Sequence, residues 1–479
     1  MIDSKLIELL SCFTPKELKQ LKLMVDSPYF NNQASIRKLM EFLMEFAPDF
    51  NHPKLTYYHA FVHIYGKKDI QSDQQTAVLK VMSKLSGLIK DCIVQFELIE
   101  YPIHRLLSQA HFFSKKQMLE HIPKLLDDAE SLVSEIPYRN EFYFRHKLLL
   151  EFERSSFLNI IRDKSSLGYN LSQQNQALDN YYAISKLQTY CFAKNIVSLT
   201  NFDFDFSQML PFIEWIKASK LTDDFGIRIW YLALVMLNEP NTTHFDALKN
   251  NISQFKKDLD PPIIRVLYSY LANIAPLIYT DRETYIKEIF ELYKEQIELG
   301  ILYINGYLSP VLLRNITVIG LKRREFDWVE TFLEQNADKI VPSYLEREDI
   351  ILLCKAYLYF AKGDFHRTLD MINMLRCDNT ITKMDERRLR LMCYFEIDFT
   401  NPFDDLINSF RKFLTDHKKK IPFAHIEVNR LFIHYIHKVA MSNYLSRGQI
   451  KVLFDEIQQV PVLPEKEWLL SKVEERMRR

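Results

Sequence analysis

Two histidine pairs come nearest to chemistry in this chain. His59-Ala60-Phe61-Val62-His63 places two imidazoles at i and i+4, on one face of a helix, as a zinc hydrolase requires. That mechanism also needs a glutamate at position 60 as general base, and Ala60 stands there, so two ordinary helical histidines are the simpler reading. His434-Tyr435-Ile436-His437 spaces two imidazoles at i and i+3 with no accompanying carboxylate pattern. A metal site takes three or four convergent ligands, so a polar helix face accounts for this pair. The chain contains no G-x-S-x-G, no P-loop and no G-x-G-x-x-G. Its 62 aspartates and glutamates select no pair for acid–base work. Cys12, Cys92, Cys191, Cys354, Cys377 and Cys393 are scattered without a C-x-x-C pair, so reduced, mostly buried thiols are expected rather than a zinc site or disulfide framework. The expectation is a protein that is not an enzyme, with no catalytic residue, cofactor or metal. An unfamiliar helical active site is the remaining alternative, because sites can be assembled on almost any fold.

The elements that carry these residues follow from a scarcity. Only 9 of 479 residues are glycine, where about 7% is usual. Hairpins, bulges and phosphate-binding loops depend on glycine's access to positive φ and close backbone approach. The chain therefore reads as helix after helix, and 34 Phe with 25 Tyr suit long helices that interlock through large side chains. Lys+Arg and Asp+Glu both total 62, which argues against a nonspecific nucleic-acid binder. Charges at Asp3, Lys5 and Glu8 break any secretory h-region ahead of Cys12. The longest apolar stretches, Ile229–Leu237 and Ile350–Ala361, fall short of the ~18 residues needed to span a bilayer. A soluble, cytoplasmic protein is expected.

Residues 1–98 read as a helical module. Thr14-Pro15-Lys16-Glu17 is a capping box with Pro at the first helical position, and Phe13 can staple onto Leu18. Helices are expected at about Gln33–Phe46, from Thr56 to a stop at Gly66-Lys67-Lys68, and at about Asp73–Leu98. Residues 99–205 lack clear markers; helices fit about Ile103–Phe113, Lys116–Ser134, Arg139–Asp163 and Leu171–Leu199.

From Phe206 onward a period appears. Aromatics follow the expected inter-helix turns at Phe206, Phe245, Tyr285, Phe326, Phe365 and Phe403, at intervals of 39, 40, 41, 39 and 38 residues. Seven residues after the last five stand Ile252, Leu292, Leu333, Ile372 and Phe410, and between them Leu248, Ile289, Val329, Leu369 and Leu406. That is one helix face restarted every ~40 residues, the pattern of a repeated two-helix unit. Ala356, Tyr359, Gly363-Asp364-Phe365 and Ile372 resemble the tetratricopeptide pattern of small residue, aromatic, turn, aromatic and apolar anchor. The neighbouring copy keeps Phe326-Asp327-Trp328 without a turn glycine, and Thr368, Val329 and Leu406 replace the usual small residue. Ser27-Pro28-Tyr29-Phe30-Asn31, Gly300, Ser309-Pro310, Asn315 and Glu325-Phe326-Asp327-Trp328 together resemble a family of large, uncharacterised bacterial proteins expected to be all-helical.

These resemblances imply an all-α protein: a right-handed α-solenoid of tetratricopeptide-like helix pairs at 206–420, preceded by the N-terminal module at 1–98 and divergent helical pairs at 99–205. Capping helices at 421–479 close it, with a basic end at Arg476-Met477-Arg478-Arg479. On the tetratricopeptide alignment Arg314, Asn315 and Lys322 fall on the first helix of their pair, whose exposed face lines a concave groove where they could grip a peptide carboxylate or backbone. The simpler reading is that Asn315 merely caps or bridges neighbouring helices, since the neighbouring copy has Leu353 and Cys354 at the equivalent places. Arg411-Lys412 and His417-Lys418-Lys419-Lys420, with Arg430 and Lys438 beyond, form a local positive cluster for which a solvated helix C-terminus is the simpler reading.

The function expected is a non-enzymatic scaffold or adaptor binding a protein or peptide along an extended helical-repeat surface. The alternative is a regulator with a nucleic-acid-binding N-terminal module and a peptide-sensing repeat domain. Residues 1–100 carry 12 basic and 12 acidic residues, no positive field for DNA. The sequence sets no oligomeric state.

Overall fold

The computed structural model describes residues 1, 4–66, 74–199, 202–279, 281–340, 347–376, 379–419, 421 and 423–478. Asp3, Lys67, Lys68, Asp73, Cys377, Lys420 and Arg479, invoked above, lie outside the described residues. The chain is all-α: the described residues form 23 α-helices and one two-stranded hairpin. Among them no helix is long and apolar enough to cross a membrane. Two compact units are present, one of residues 1–136 and 146–175, the other of 137–145 and 176–479.

The first unit contains α1 (Lys5–Ser11), α2 (Pro15–Asp26), α3 (Ala34–Met44), α4 (Tyr57–Tyr65), α5 (Gln74–Glu100), α6 (Pro102–Lys115) and α7 (Ile122–Ser134). It also contains parts of α8 (Glu141–Ile160) and α9 (Lys164–Leu199). The capping box forms as expected: the Thr14 hydroxyl accepts from the Glu17 amide while the Glu17 carboxylate accepts from the Thr14 amide at 2.7 Å. Thr56 caps α4, and Gly66 ends it at φ 69°. Helices α1 to α5 share one core, with Leu10, Leu21, Leu39, Leu43 and Leu85 fully buried.

Three boundaries differ from expectation. Helix α1 forms where the sequence was weighed only as a leader; Leu6, Ile7 and Leu10 bury its face. The single helix expected at Lys116–Ser134 is broken: Gln117 turns at φ 58°, a 3₁₀ turn covers Leu119–His121, and α7 starts with Pro123 in its first turn. A proline inside a continuous helix would lose a hydrogen bond and strike the preceding turn, so the break falls ahead of it. Helix α9 starts at Lys164 rather than Leu171, because Asp163 accepts from the Ser166 amide and hydroxyl.

The second unit continues with α10 (Met209–Ser219), α11 (Phe225–Asn238), α12 (Thr242–Phe255), α13 (Pro261–Ile278) and α14 (Arg282–Glu298). A hairpin of β1 (Tyr303–Ile304) and β2 (Tyr307–Leu308) follows, turned by Asn305 and Gly306 at φ 51° and 83°. This is the Asn-Gly hairpin turn; the all-helical expectation passed over a legible signal there. Then come α15 (Pro310–Lys322), α16 (Phe326–Asn336), α17 (Arg347–Ala361), α18 (Phe365–Asn373), α19 (Thr380–Glu396) and α20 (Thr400–Asp416). The chain closes with α21 (Phe423–Met441), α22 (Arg447–Gln459) and α23 (Lys466–Arg478). From α11 to α21 each helix packs on the next, and α11·α13, α15·α17 and α17·α19 also touch. Helix α17, apolar on nearly every side in sequence, meets α15, α16, α18 and α19.

The anchors Ile252, Leu292, Leu333, Ile372 and Phe410 are all buried. Leu369 and Leu406 are only half-buried, and Thr368 and Ile407 hold the inward positions beside them. The same turn ends α15, α17 and α19. The amide of Glu325 donates to Gly320, that of Asp364 to Tyr359 and that of Phe399 to Tyr394, each five residues back. The residue before each, Arg324, Gly363 or Asp398, is left-handed, as a Schellman turn requires. That alignment makes Thr400, not Phe403, the counterpart of Phe326 and Phe365.

Val329 occupies a position where the tetratricopeptide pattern has a small residue, and the space comes from the other helix. A Cβ built on Gly320 would stand 2.5 Å from Val329 Cγ2. Gly320→Ala is expected to cost about 1–3 kcal/mol despite its better helix propensity, because Val329 is fully buried and cannot swing away. Val329→Ala in the same chain should recover part of that loss, whereas Gly87→Ala, exposed in α5 with open space, should gain about 0.5–1 kcal/mol. Urea denaturation of the three variants and the double mutant checks this; strictly additive losses at 320 and 329 would contradict the size exchange.

Candidate functional site

The second unit contains a groove of about 720 Å³. Its walls come mainly from Leu277 of α13, Val318 and Leu321 of α15, Tyr357 and Phe360 of α17, and Met392 of α19, with Tyr285 of α14 and Phe326 of α16 also lining it. The segment Pro461–Trp468, which links α22 to the first turn of α23, forms the far wall. Pro461 and Pro464 keep that segment from continuing α22, since neither offers an amide donor. Lys466 holds its base, donating to the carbonyls of Gln458 and Val460 at 2.7 and 2.8 Å. Trp468 is fixed from above, its indole N–H donating to Glu396 at 2.7 Å and its ring set edge-on to Phe395 at 5.2 Å. Lys472 of α23 pairs with the same Glu396 at 2.9 Å. The groove is thus apolar and aromatic inside, with Lys322, Arg324, Glu465 and Glu467 as its charged edges. A second depression of about 460 Å³ adjoins it, shared through Lys322, Arg324 and Glu467.

The three residues selected from the sequence separate into two places. Lys322 lines the groove. Arg314 and Asn315 meet each other, Arg314 Nη1 donating to Asn315 Oδ1 at 3.2 Å, and the Arg314 guanidinium is taken up by Asp385 of α19 at 2.5 Å. Asp385 is 2% exposed, and its other oxygen accepts from Arg388. Arg388 in turn donates to Asn429 of α21 at 2.8 Å, whose amide donates to the His425 carbonyl at 2.7 Å. The Asn315 amide lies beside the buried Tyr293 hydroxyl, which burial pushes up to about 12. Burial likewise raises the Cys354 thiol beside this network to about 12. A buried, doubly paired carboxylate is a clamp between helices, and its Arg314 partner has little capacity left for a ligand.

The histidine motifs do not assemble. His59 Nδ1 lies 2.7 Å from the Thr56 hydroxyl, and the His63 ring lies 5.6 Å from Phe42. No group of three or more His, Cys, Asp or Glu side chains could hold a metal ion among the described residues. Within the basic cluster, Arg430 pairs with Glu427 and Lys438 with Glu456, while His417 stacks on Phe413 at 4.3 Å beyond the end of α20.

No family model, no curated protein and no solved structure matches this chain. What the groove can hold follows from its own side chains. Tyr357, Phe360, Arg324 and the Pro461–Trp468 wall were not singled out in the sequence. The alignment of Arg324 with Gly363 and the two prolines ahead of Trp468 were the available signals.

Asp385→Ala strands two guanidinium groups in the interior, and a loss of about 3–5 kcal/mol is expected. Glu427→Ala, in an exposed pair, should cost at most about 1 kcal/mol. Denaturant titration of the two variants compares them, and equal losses would refute the clamp. Acid should also loosen this unit. Burial, then Arg388, holds the His425 imidazole below its ordinary 6.5, and burial, then Lys438, does the same for His434. The unfolded chain therefore binds more protons, so stability falls as pH drops through about 6.5 and levels below the depressed folded values. Thermal melts between pH 7.5 and 5.5 should show this slope, flattened in His425→Gln/His434→Gln; a flat wild-type profile would contradict it.

Proposed function

We propose that this chain is a non-enzymatic scaffold that binds a protein or peptide partner in the groove between α13, α15, α17, α19 and the Pro461–Trp468 segment. The reading takes α11–α20 as tetratricopeptide-like pairs wound into a right-handed α-solenoid whose first helices face the partner. One feature supports the pairing: the packing of first helix on first helix at α11·α13, α15·α17 and α17·α19. The observation that carries the reading is the composition of the groove. Rings of Tyr357, Phe360 and Trp468 and the side chains of Val318 and Leu321 offer apolar anchoring, with Lys322, Arg324, Glu465 and Glu467 at the edges. A segment with apolar side chains and a carboxylate that meets Arg324 matches this arrangement, through desolvated anchors and a charge-assisted bond. A cytoplasmic setting suits the free, buried thiols of Cys92, Cys191, Cys354 and Cys393.

The test is affinity capture with the tagged full chain and with two groove variants, Lys322→Glu/Arg324→Glu and Ala361→Trp. Ala361 is exposed at the end of α17 and lines the groove. A stoichiometric partner held by the wild type should be lost by about tenfold or more in both variants, the size of one desolvated contact. Circular dichroism should show unchanged helix content. A partner retained by both variants would place its binding elsewhere.

A further inference from the structure

Away from the groove, a cavity of about 150 Å³ opens where α19, the turn into α20, the end of α21 and α23 come together. Four of its walls are rings: Tyr394, Phe395, Phe399 and Phe403, with Tyr444 as a fifth at the mouth. Tyr394 and Phe399 stand edge to face at 5.6 Å. Phe399 is 52% exposed and Tyr444 87% exposed, so two of these rings are left open to solvent rather than used in the core. Two carboxylates, Asp398 and Asp404, line the same cavity, and neither makes an ion pair among the described residues. Asp398 is moreover the left-handed residue of its turn, at φ 53°, where its counterparts are Arg324 and Gly363.

We infer that this cavity is a binding site for a single organic cation, a methylated ammonium head or a guanidinium. Rings present their negative faces to such a cation, and carboxylates supply the countercharge. The C-terminal ends of α19 and α21 also abut the cavity with partial negative charge, and the α20 N-terminus offsets one of them. The chain already places one cation against this wall: the Arg476 guanidinium lies 5.9 Å from the centre of the Phe395 ring. The cavity remains open with Arg476 as part of its lining. Its volume suits a head group and not a drug-sized ligand, which takes roughly 300–1,000 Å³. The site is separate from the peptide groove, and its test does not depend on that reading.

Saturation-transfer NMR on the full chain tests it, with choline, N-acetyl-arginine amide and the neutral choline isostere 3,3-dimethylbutan-1-ol as probes. Saturable binding is expected for at least one cation, about tenfold tighter than for the isostere. Preference for choline would point to a free quaternary amine, and preference for the arginine amide to a basic side chain of a partner. Asp398→Asn and Asp404→Asn should each weaken the bound cation by about tenfold. Both are fold-safe: Asn tolerates the left-handed turn, and Asp404 is exposed on α20. Arg476→Gln, which removes the resident cation, should tighten binding. Equal binding of cation and isostere would reduce the site to an apolar hole and overturn the inference. So would the lack of saturable binding by either cation, with the wild-type melting temperature intact.

Discussion

The Asp385 carboxylate sits between two guanidinium groups from different places in the chain, Arg314 on α15 and Arg388 on its own α19. Burying one negative charge among helices is costly unless the geometry of its partners is fixed. Fixing it brings α15 and α19 to a set separation, with α17 packed against each of them. The groove walls Val318, Tyr357 and Met392 ride on those three helices, so the shape of the groove depends on this clamp. A purely apolar contact would tolerate sliding by a fraction of a turn. A carboxylate with two assigned partners does not.

The scarcity of glycine has a structural counterpart. Left-handed helix ends are plentiful here, and Gln117, Arg162, Lys220, Arg324 and Asp398 occupy several of them without glycine. Each such residue carries a conformational cost that glycine avoids, about 1–2 kcal/mol. The turns form because the hydrogen bonds they complete satisfy carbonyls otherwise left open at the helix end. Gly66, Gly300 and Gly363 take others of these ends, and two further glycines stand where no side chain fits, at Gly226 and Gly320. Gly226, near the start of α11, faces the Arg139 carbonyl at a distance that excludes a Cβ.

Much of the architecture was legible in the residues. The capping box at Thr14, the stop at Gly66 and the buried anchors from Ile252 to Phe410 follow from local patterns that tertiary contacts did not override. The break at Gln117 and the Asn305-Gly306 hairpin were legible too, in a proline and an Asn-Gly pair. The site was legible only in part. Lys322 lines the groove, but Arg314 looks the same in sequence whether it faces a peptide or a carboxylate 71 positions away.

Sequence by itself determined that this protein is helical, where most of its helices start, and which face of most of them turns inward, with the inward position one residue away at Thr368 and Ile407. Those properties depend on neighbours within a few residues: caps, prolines and the spacing of apolar side chains. Tertiary structure alone decided that Asp385 would claim Arg314, that Gly320 would make room for Val329, and that Pro461–Trp468 would wall the groove. It also gathered five rings and two carboxylates around one small cavity. Such pairings join residues tens of positions apart, and no local preference of either partner encodes the other's place.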